Sequence, residues 1–423
     1  MAADRGKNDK RVSDFVNEER LWRFHMEMAK IGATALGGNN RQALSPEDAD
    51  ARTLFVKWAR ERNFEVSMDE IGNVFVRRPG TDPKAPPVLS GSHLDTQPTG
   101  GRFDGIYGCL GALEVLHAVE DSGIQTKRSI EACVWTNEEG TRFSPGCLGS
   151  DAFAHPKNLR KFLAIKDKEG VTVGDALADT KKRMPKVDPR PLGFPLHAFV
   201  EAHIEQGPIL EAKQKTIGVV TGIQGARRYT VTVTGENAHS GTTPRSRRKD
   251  SFFAAVDMVN ALKPMFTEND PDDILRFTIG RFEVHPGSLY VVPGQVIFGI
   301  DVRHPSTETL EGLGSQIEGI CKKHAGPCTV EVKEIVRVTP TPFVGMVPEI
   351  FDKATKELGY PYMRILSGAG HDSQNVAPLC PTGMIFVPCE GGRSHNEIEN
   401  ATPGDLAAGA RVLAEAMVEM ANQ

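Results

Sequence analysis

Three things that the chain lacks exclude several classes of protein. Its 423 residues hold seven cysteines, an odd number with no CxxC pair, so we predict no disulfide framework and a reducing compartment. No apolar run approaches the roughly 18 to 20 residues that a membrane span needs, and the opening segment MAADRGKNDKRVSDF lacks the apolar core of a signal peptide. The net charge of -5 lacks the basic excess of a nucleic-acid binder. We expect a cytoplasmic protein without a membrane or nucleic-acid partner.

What is present indicates more than one domain. A chain of 423 residues is too long for a single compact core. Strand-like and helical stretches alternate over residues 1–213, which predicts an α/β domain with a parallel or mixed sheet covered by helices. Residues 214–329 carry four strands of alternating pattern, from TIGVVTGIQG to VIFGIDVRH, and two helical stretches, which predicts a separate α+β unit. Helix–strand alternation resumes over 330–423.

Local signals place several helices. Ser45 followed by Pro46 is typical of an N-cap with proline at the first helical position, and it predicts a helix as far as about Phe64. Apolar spacing predicts further helices at about 107–121, 249–264 and 306–324.

Five stretches carry side chains that divalent metal ions prefer as ligands. Four of them follow or include an apolar strand-like run, and the fifth is rich in glycine. Imidazoles and carboxylates at the ends of several strands are how an α/β scaffold builds a site for zinc or a similar ion. The stretches are GSHLDT with His93, GGRFDG with Asp104, TNEEG with Glu138 and Glu139, EAHIEQG with His203, and GGRSHNE with His395. Together they indicate metal-assisted hydrolysis. Because His395 would complete a site begun by His93, we interpret the middle unit as an insertion, with hinges near residues 213 and 330.

Each candidate also has a simpler interpretation. Asp95 lies two residues after His93, and its carboxylate could accept the second ring N–H of a metal-bound histidine, although HxD alone is weak. The glycines around Asp104 could cradle a phosphate, but no G-x-G-x-x-G follows a strand. An aspartate in a sharp turn can instead bridge two ions. Adjacent glutamates are usually solvated charge, but Glu138 and Glu139 end the strand EACVW, where one can bind metal and the other can deprotonate water.

The remaining candidates are less specific. His203 shares a strand face with Glu201, so a structural, salt-linked histidine is an equal alternative. Arg303 ends the strand in GIDVRHP and could grip a carboxylate, although a surface ion pair is commoner. His239 in GENAHSGTTP has the pattern of a loop residue in the middle unit. A zinc finger at Cys321, His324 and Cys328 is set aside because a fourth ligand is missing.

Seven motifs follow one another along the chain: GSHLDTQPTGGRFDG, TNEEGTRF, EAHIEQGPILE, TGENAHSGTTP, DVRHPS, SGAGHDSQ and GGRSHNEIE. With them the chain resembles the amidase branch, the hydantoinase/carbamoylase family, of the di-zinc peptidase and aminoacylase superfamily. That branch contains N-carbamoyl-L-amino-acid hydrolases, β-ureidopropionases and allantoate amidohydrolases. The resemblance implies a di-zinc-peptidase-like catalytic domain and an inserted lid and dimerisation domain with a four-stranded antiparallel sheet and two helices.

The resemblance also implies roles for individual residues. Two divalent ions (zinc, or manganese, cobalt or nickel) would bind per subunit, the first to His93 and His203, the second to Glu139 and His395, with Asp104 bridging them. Glu138 would be the general base. In a homodimer, His239 would support the oxyanion in the neighbouring subunit's active site. Gln206 and Arg303 match substrate-contacting positions. In PGSLYVVPG, Tyr290 and Gly287 stand where the family usually has asparagine.

The expected reaction is hydrolysis of an N-carbamoyl-L-amino acid, or N-carbamoyl-β-alanine, to the amino acid, carbon dioxide and ammonia. Allantoate or an N-acyl amino acid are alternative substrates, all of them small molecules with a carboxylate. A binding protein that kept the fold and lost activity is the alternative of another class. The presence of all five expected ligands and the base argues against it.

Overall fold

The computed structural model describes residues 10–268, 270 and 273–423. Residues 1–9, on which part of the expectation of no signal peptide rests, lie outside the described residues. None of the helices in the described part of the chain is long and apolar enough to cross a membrane.

The described residues form sixteen strands and twelve α-helices, with short 3₁₀ turns between some of them. The strands are β1 Glu65–Met68, β2 Val74–Arg78, β3 Val88–His93, β4 Ile130–Trp135, β5 Asp188–Pro189, β6 Ala198–Ile204, β7 Ile217–Ile223, β8 Gly225–Thr234, β9 Ala238–His239, β10 Arg276–His285, β11 Val291–Val292, β12 Gln295–His304, β13 Thr329–Val338, β14 Thr341–Pro342, β15 Tyr362–Ser367 and β16 Thr382–Val387. The helices are α1 Glu18–Met28, α2 Pro46–Arg60, α3 Ile106–Ser122, α4 Leu148–Ala154, α5 Leu159–Leu163, α6 Val173–Arg183, α7 Ile209–Ala212, α8 Ser251–Thr267, α9 Thr307–Lys323, α10 Met346–Leu358, α11 Ser373–Val376 and α12 Pro403–Ala421.

The chain divides into two compact units. The first comprises the described residues up to Thr221 together with Phe343–Gln423, and the second comprises Gly222–Pro342. The expected α/β architecture with an inserted α+β unit is confirmed.

A large mixed sheet has the order β14-β7-β16-β6-β3-β4-β2-β1-β5, with β15 paired to β7, and all of its strands except β14 lie wholly or mostly in the first unit. The four central strands β16, β6, β3 and β4 run parallel to one another. Each of the four is buried along its whole length. Parallel strands buried on both faces read as continuous apolar runs, and their carboxyl ends meet at one edge of the sheet.

Two helices of this unit illustrate how the sequence fixes the layers. The Ser45 hydroxyl accepts a hydrogen bond from the backbone N–H of Asp48 at 3.2 Å, so the predicted N-cap of α2 is confirmed. Helix α3 is buried over Ile106–Val119, because it lies between the sheet and α12. A helix that is covered on most sides is mostly apolar, and in this stretch Glu114 is a buried exception that forms a salt bridge with Arg20.

The second unit contains a four-stranded antiparallel sheet in the order β10-β12-β8-β13, packed against α8 and α9. The expected four strands and two helices are confirmed, but one expected member was wrong. TIGVVTGIQG forms β7, which pairs with β16 in the large sheet and is almost fully buried. The fourth strand of the small sheet is β13, whose exposed and half-buried residues alternate because only one face packs on helices.

This exchange of strands also moves the points at which the chain passes between the two units. They lie at Thr221–Gly222 and Pro342–Phe343, whereas the sequence placed them near 213 and 330. Residue alternation alone could not show whether β7 or β13 belongs to the small sheet, because a strand has a period of two in either sheet.

Candidate metal centre

The candidate ligands of the first unit gather at the carboxyl edge of the four parallel strands. His93 is the last residue of β3, His203 lies near the end of β6, and Glu139 follows β4. Asp104 lies two residues before the start of α3, and His395 lies in the loop between β16 and α12. Parallel strands bring segments that are distant in sequence to one edge, which is why these five converge.

The ligands form two groups that share one residue. The first group is His93, Asp104 and His203, and the second is Asp104, Glu139 and His395. Within each group the potential ligand atoms all lie within 4.8 Å of one another. Asp104 therefore stands between the two groups with one carboxylate oxygen available to each.

Individual distances support this division of Asp104. His203 Nε2 lies 3.3 Å from Asp104 Oδ1, and His395 Nε2 lies 3.0 Å from Asp104 Oδ2. His395 Nε2 is also 3.6 Å from Glu139 Oε2. The two groups differ in exposure: His93 and His203 are buried, whereas the side chain of His395 is 50% exposed.

The two buried imidazoles are held in the orientation that a metal site requires. His93 Nδ1 lies 2.8 Å from the carbonyl oxygen of Asp95, and His203 Nδ1 lies 2.9 Å from the carbonyl oxygen of Ile204. A carbonyl only accepts, so each Nδ1 carries the proton and each Nε2 keeps its lone pair. His203 Nε2 accepts the backbone N–H of Gly105 at 3.1 Å beside Asp104 Oδ1, and His93 Nε2 lies 3.5 Å from Glu138 Oε2. This donor set suits zinc or a similar divalent ion.

The expected role of the Asp95 carboxylate was wrong. The backbone carbonyl of Asp95, rather than its side chain, accepts from His93. The Asp95 carboxylate instead accepts the backbone N–H groups of Glu138 and Glu139 at 3.3 and 3.1 Å. Asp95 is buried, and it therefore fixes the turn that carries the two glutamates. The sequence could not separate these two uses because both involve the same residue.

The electrostatics of the cluster are those of crowded carboxylates. Burial raises the pKa of Glu138 well above its usual range, and the carboxylates of Asp372 and Glu139 raise it further. Burial likewise raises the pKa of Glu139 to about 8. Burial alone would raise the pKa of Asp104, but the hydrogen bond from His395 and the nearby imidazoles hold it well below its ordinary value. The same hydrogen bond raises the pKa of His395 to about 9. A divalent cation would offset this repulsion between acids.

Glu138 lies beside the first group without belonging to it. Its Oε2 atom is 3.5 Å from His93 Nε2, and its side chain is 12% exposed. The thiol of Cys147 donates to Glu138 Oε1 at 3.4 Å, and the backbone N–H of Cys147 donates to the carbonyl of Glu138. Glu138 is therefore placed next to the candidate ions with one oxygen directed at the ligands.

Backbone conformation at the site is unusual. Asn137, Cys147, Gln206 and His395 all have positive φ values between 52° and 58°. Such conformations are uncommon for residues with a side chain and concentrate at functional sites. Gln206 uses its conformation to direct Nε2 to both carboxylate oxygens of Asp104, at 3.1 Å each. Gln206, predicted to contact the substrate, thus lies among the candidate metal ligands.

Three predicted residues belong to the second unit. His239, in β9, accepts the backbone N–H groups of Gly241 and Thr242 on Nδ1, which leaves Nε2 as the proton-bearing nitrogen of the neutral ring. Tyr290 is 75% exposed. Arg303 donates to both carboxylate oxygens of Asp301, at 3.3 and 3.0 Å. The ion pair considered for Arg303 from the sequence is thus present.

Sequence reasoning did not single out a buried histidine beside the first group. His371 packs edge-on against His203 with 4.6 Å between ring centroids, and its Nε2 lies 3.0 Å from the Ser367 hydroxyl. Glu201, His203 and His371 form a third group with potential ligand atoms within 4.8 Å. Glu201 accepts the hydroxyls of Ser92 and Ser373. In the sequence, the one hint of His371 was the His-Asp pair in SGAGHDSQ, and nothing in the sequence placed that pair near another candidate ligand.

Comparison with known proteins fits this geometry. Residues 89–419 match the family model for peptidase family M20/M25/M40. The chain belongs to this family. It is 43% identical over 411 residues to an N-carbamoyl-L-amino-acid amidohydrolase of Rhizobium meliloti, covering 96% of this chain and 97% of that protein. It is 32% identical over 398 residues to an allantoate amidohydrolase of Bacillus subtilis (strain 168), covering 93% and 95%.

Among solved structures, the chain is similar to an amidase of the hydantoinase/carbamoylase family from Burkholderia multivorans. The TM-score is 0.90 at 44% identity, and the match covers 96% of this chain and 98% of that one. The family resemblance, the fold and the amidohydrolase class expected from the motifs are confirmed.

Proposed function

We propose that this protein hydrolyses the ureido C–N bond of an N-carbamoyl-L-amino acid, giving the amino acid, carbon dioxide and ammonia. The observation that carries the proposal is the pair of ligand groups that share Asp104, with Glu138 beside them. The 43% identity to the Rhizobium meliloti N-carbamoyl-L-amino-acid amidohydrolase over nearly the whole chain supports the choice of substrate.

Two divalent ions would be held by the shared Asp104, one together with His93 and His203, the other with Glu139 and His395. When bound, such ions polarise a carbonyl group and lower the pKa of a water molecule from 15.7 toward about 7. Zinc fits the imidazole and carboxylate donors, and manganese, cobalt and nickel are also compatible with them.

Glu138 would act as the general base and then as the general acid. It takes a proton from the attacking water, whose oxygen forms a bond with the carbamoyl carbon. The C–N bond to the amino acid then breaks, and Glu138 returns the proton to the leaving nitrogen. The carbamate that remains decays to carbon dioxide and ammonia. Burial raises the pKa of Glu138, which favours the form that holds a proton, and bound cations would lower this pKa so that the carboxylate can first accept the proton of water.

His239 would stabilise the oxyanion in the partner subunit of a homodimer. Its Nε2–H is the donor that this role requires, since Nδ1 already accepts two backbone N–H groups. Loss of one such donor costs roughly 3 kcal/mol of barrier, so His239→Ala would lower kcat by about 10²-fold or more. Gln206, Arg303 and Tyr290 would contact the substrate, Arg303 after exchanging Asp301 for the substrate carboxylate.

The second unit has a surface suited to pairing with a second copy of the chain. Strand β10 is an edge strand of the four-stranded sheet, so its outer backbone groups are open to another strand. Phe252 and Phe253 at the start of α8 and Phe282 on β10 are exposed, and Phe252 contacts each of the other two. We propose this surface as the dimer interface, to be tested by light scattering of wild-type protein and Phe253→Glu.

Allantoate is the second candidate substrate, because an allantoate amidohydrolase of Bacillus subtilis also matches nearly the whole chain. Stripped protein reloaded with zinc, manganese, cobalt or nickel should be assayed on N-carbamoyl, N-formyl and N-acetyl amino acids and on allantoate. The proposal expects ammonia from N-carbamoyl-L-amino acids at the highest kcat/KM. Ammonia from allantoate alone, or no turnover with any metal, would contradict it.

All seven cysteines are free thiols. This supports a reducing compartment such as the cytoplasm.

A further inference from the structure

One carboxylate near the candidate metal centre is neither a ligand nor the base. Glu399 is fully buried in the loop between β16 and α12. Its Oε1 accepts the backbone N–H groups of Phe103 and Asp104 at 2.9 and 3.1 Å. Its Oε2 accepts the hydroxyl of Ser394 at 2.9 Å. The Glu399 side chain thus contacts the backbone of Asp104, one proposed ligand, and Ser394, the residue next to His395, another proposed ligand.

These contacts join two loops that are almost 300 residues apart in sequence. The loop before α3 carries Asp104, and the loop before α12 carries His395. Ser394, next to His395, also lies 3.5 Å from Asp104 Oδ2. A second contact, from Arg102 to the Asn400 side chain at 3.3 Å, joins the same two loops at their surface. Glu399 is the buried member of this connection.

Gly101 provides the space that Glu399 occupies. A Cβ atom at position 101 would overlap the carboxylate carbon and both carboxylate oxygens of Glu399. The backbone of Gly101 does not have the positive φ that would itself require glycine. Glycine is therefore needed at this position for the close approach of the carboxylate.

We infer that Glu399 is a positioning residue, which fixes the distance between Asp104 and His395 and so sets how tightly the second metal ion is held. The inference rests on the proposed function, because it assumes that Asp104, Glu139 and His395 bind an ion. Residues that hydrogen-bond to metal ligands without binding the ion themselves typically contribute about 10- to 100-fold in metal affinity. A carboxylate used only for folding would contribute stability without this effect.

Another buried glutamate serves as a matched control. Glu114 in α3 is also fully buried and accepts a backbone N–H, that of Asn17, at 2.7 Å. Its other partner is Arg20, with which it forms a salt bridge at 2.6 Å. Glu114→Ala removes a buried acceptor of the same kind without removing a contact to Asp104 or to the His395 loop.

The test measures metal binding by the full chain. Wild-type protein, Glu399→Ala, Glu399→Gln, Gly101→Ala and Glu114→Ala are stripped with a chelator and titrated with zinc. Bound zinc is counted by mass spectrometry, and cobalt absorption reports ligand geometry. We expect Glu399→Ala and Gly101→Ala to bind the second ion about 10- to 100-fold less tightly. Glu399→Gln keeps an acceptor and can donate to Ser394, so it should retain most of the affinity.

The outcomes separate the inference from the proposed function. Wild-type protein that binds no zinc would overturn the proposed function itself. Two ions held by wild-type protein and held equally by Glu399→Ala would overturn only the role of Glu399. An equal loss of zinc in Glu114→Ala at matched loss of thermal stability would also overturn it. If Glu399→Ala does not fold, Gly101→Ala decides, because it displaces the carboxylate by contact alone.

Discussion

The two units of the molecule differ in how many charged side chains they bury. In the first unit, charged side chains are buried in numbers, among them Asp104, Glu201 and the ion pair between Asp48 and Arg52, in which both side chains are 0% exposed. In the second unit, most of the described ion pairs lie near the surface, and the buried Arg227 is paired with Glu334. The pair Lys322–Glu318 on α9, for example, has side chains that are 61% and 57% exposed.

This difference indicates where chemistry takes place. Burying a charge costs free energy unless a partner offsets it, so a fold without function at that place would avoid it. Arg52 has such a partner in Asp48. The acids at the edge of the large sheet repel one another instead, and a divalent cation is the partner that their geometry suits. Among the described residues of the second unit, Arg227 is the one buried charged side chain, and Glu334 offsets its charge. Four predictions test the contrast.

The largest effect is expected where a buried acid does chemistry. Glu138→Gln should lower kcat by about 10²- to 10⁴-fold, because the amide cannot accept the proton of the attacking water. The zinc content should not change, since Glu138 belongs to neither ligand group. Steady-state kinetics and metal analysis check both parts, with Glu61→Gln, at an exposed position just after α2, as the control. Full activity in Glu138→Gln would refute the base.

A buried acid with an ion-pair partner should matter for folding. Arg52→Met leaves Asp48 buried without its cation, so the free energy of unfolding should fall by about 3–5 kcal/mol. The substitution also removes the hydrogen bond that Arg52 donates to the carbonyl of Gly72 at 2.7 Å. Denaturant titration measures the change. A loss below 1 kcal/mol would mean that this pair behaves like a surface pair, which would weaken the comparison.

A buried histidine of the first unit should make stability depend on pH. His117 packs between Phe24 and Phe64, and burial lowers its pKa from 6.5 to about 3. Below pH 6.5 the unfolded chain takes up a proton that the folded chain refuses, so stability falls as the pH falls. The expected loss between pH 7 and pH 5 is about 2 kcal/mol. In His117→Leu this part of the pH dependence should disappear from denaturant titrations. An unchanged pH profile would contradict the assignment.

The smallest effect is expected in the second unit. Lys322→Ala breaks a solvent-exposed ion pair that has the same i,i+4 spacing as the buried pair Asp48–Arg52. Exposed helical pairs contribute about 0.3–0.5 kcal/mol, and salt reduces this contribution further. Thermal unfolding at low and high salt measures it. A loss comparable to that of Arg52→Met would remove the contrast between the units.

Much of the fold could be predicted because its signals are local. The cap at Ser45 and the helices at 249–264 and 306–324 follow from residues next to one another, and the structure has them within a few positions. The exchange of β7 and β13 between sheets could not be predicted in this way. Which sheet a strand joins depends on partners far away in sequence, and both strands have the same β pattern.

The candidate site likewise contains residues that local sequence signals could predict and residues that they could not. Residues at strand ends, such as His93 and Glu139, could be named because strand and ligand occur in one segment. The parallel order that brings them together was an inference from alternation and resemblance. Glu399, His371 and the actual contacts of Asp95 could not be found, because each depends on a loop that only tertiary structure brings near.

The central claim is that two ions share Asp104. Anomalous diffraction at the zinc edge, from crystals of the stripped and reloaded protein, tests it most directly. The account predicts two peaks, one contacting His93 and His203, the other contacting Glu139 and His395, with Asp104 between them. A single peak, or a peak held by Glu201, His203 and His371, would contradict it.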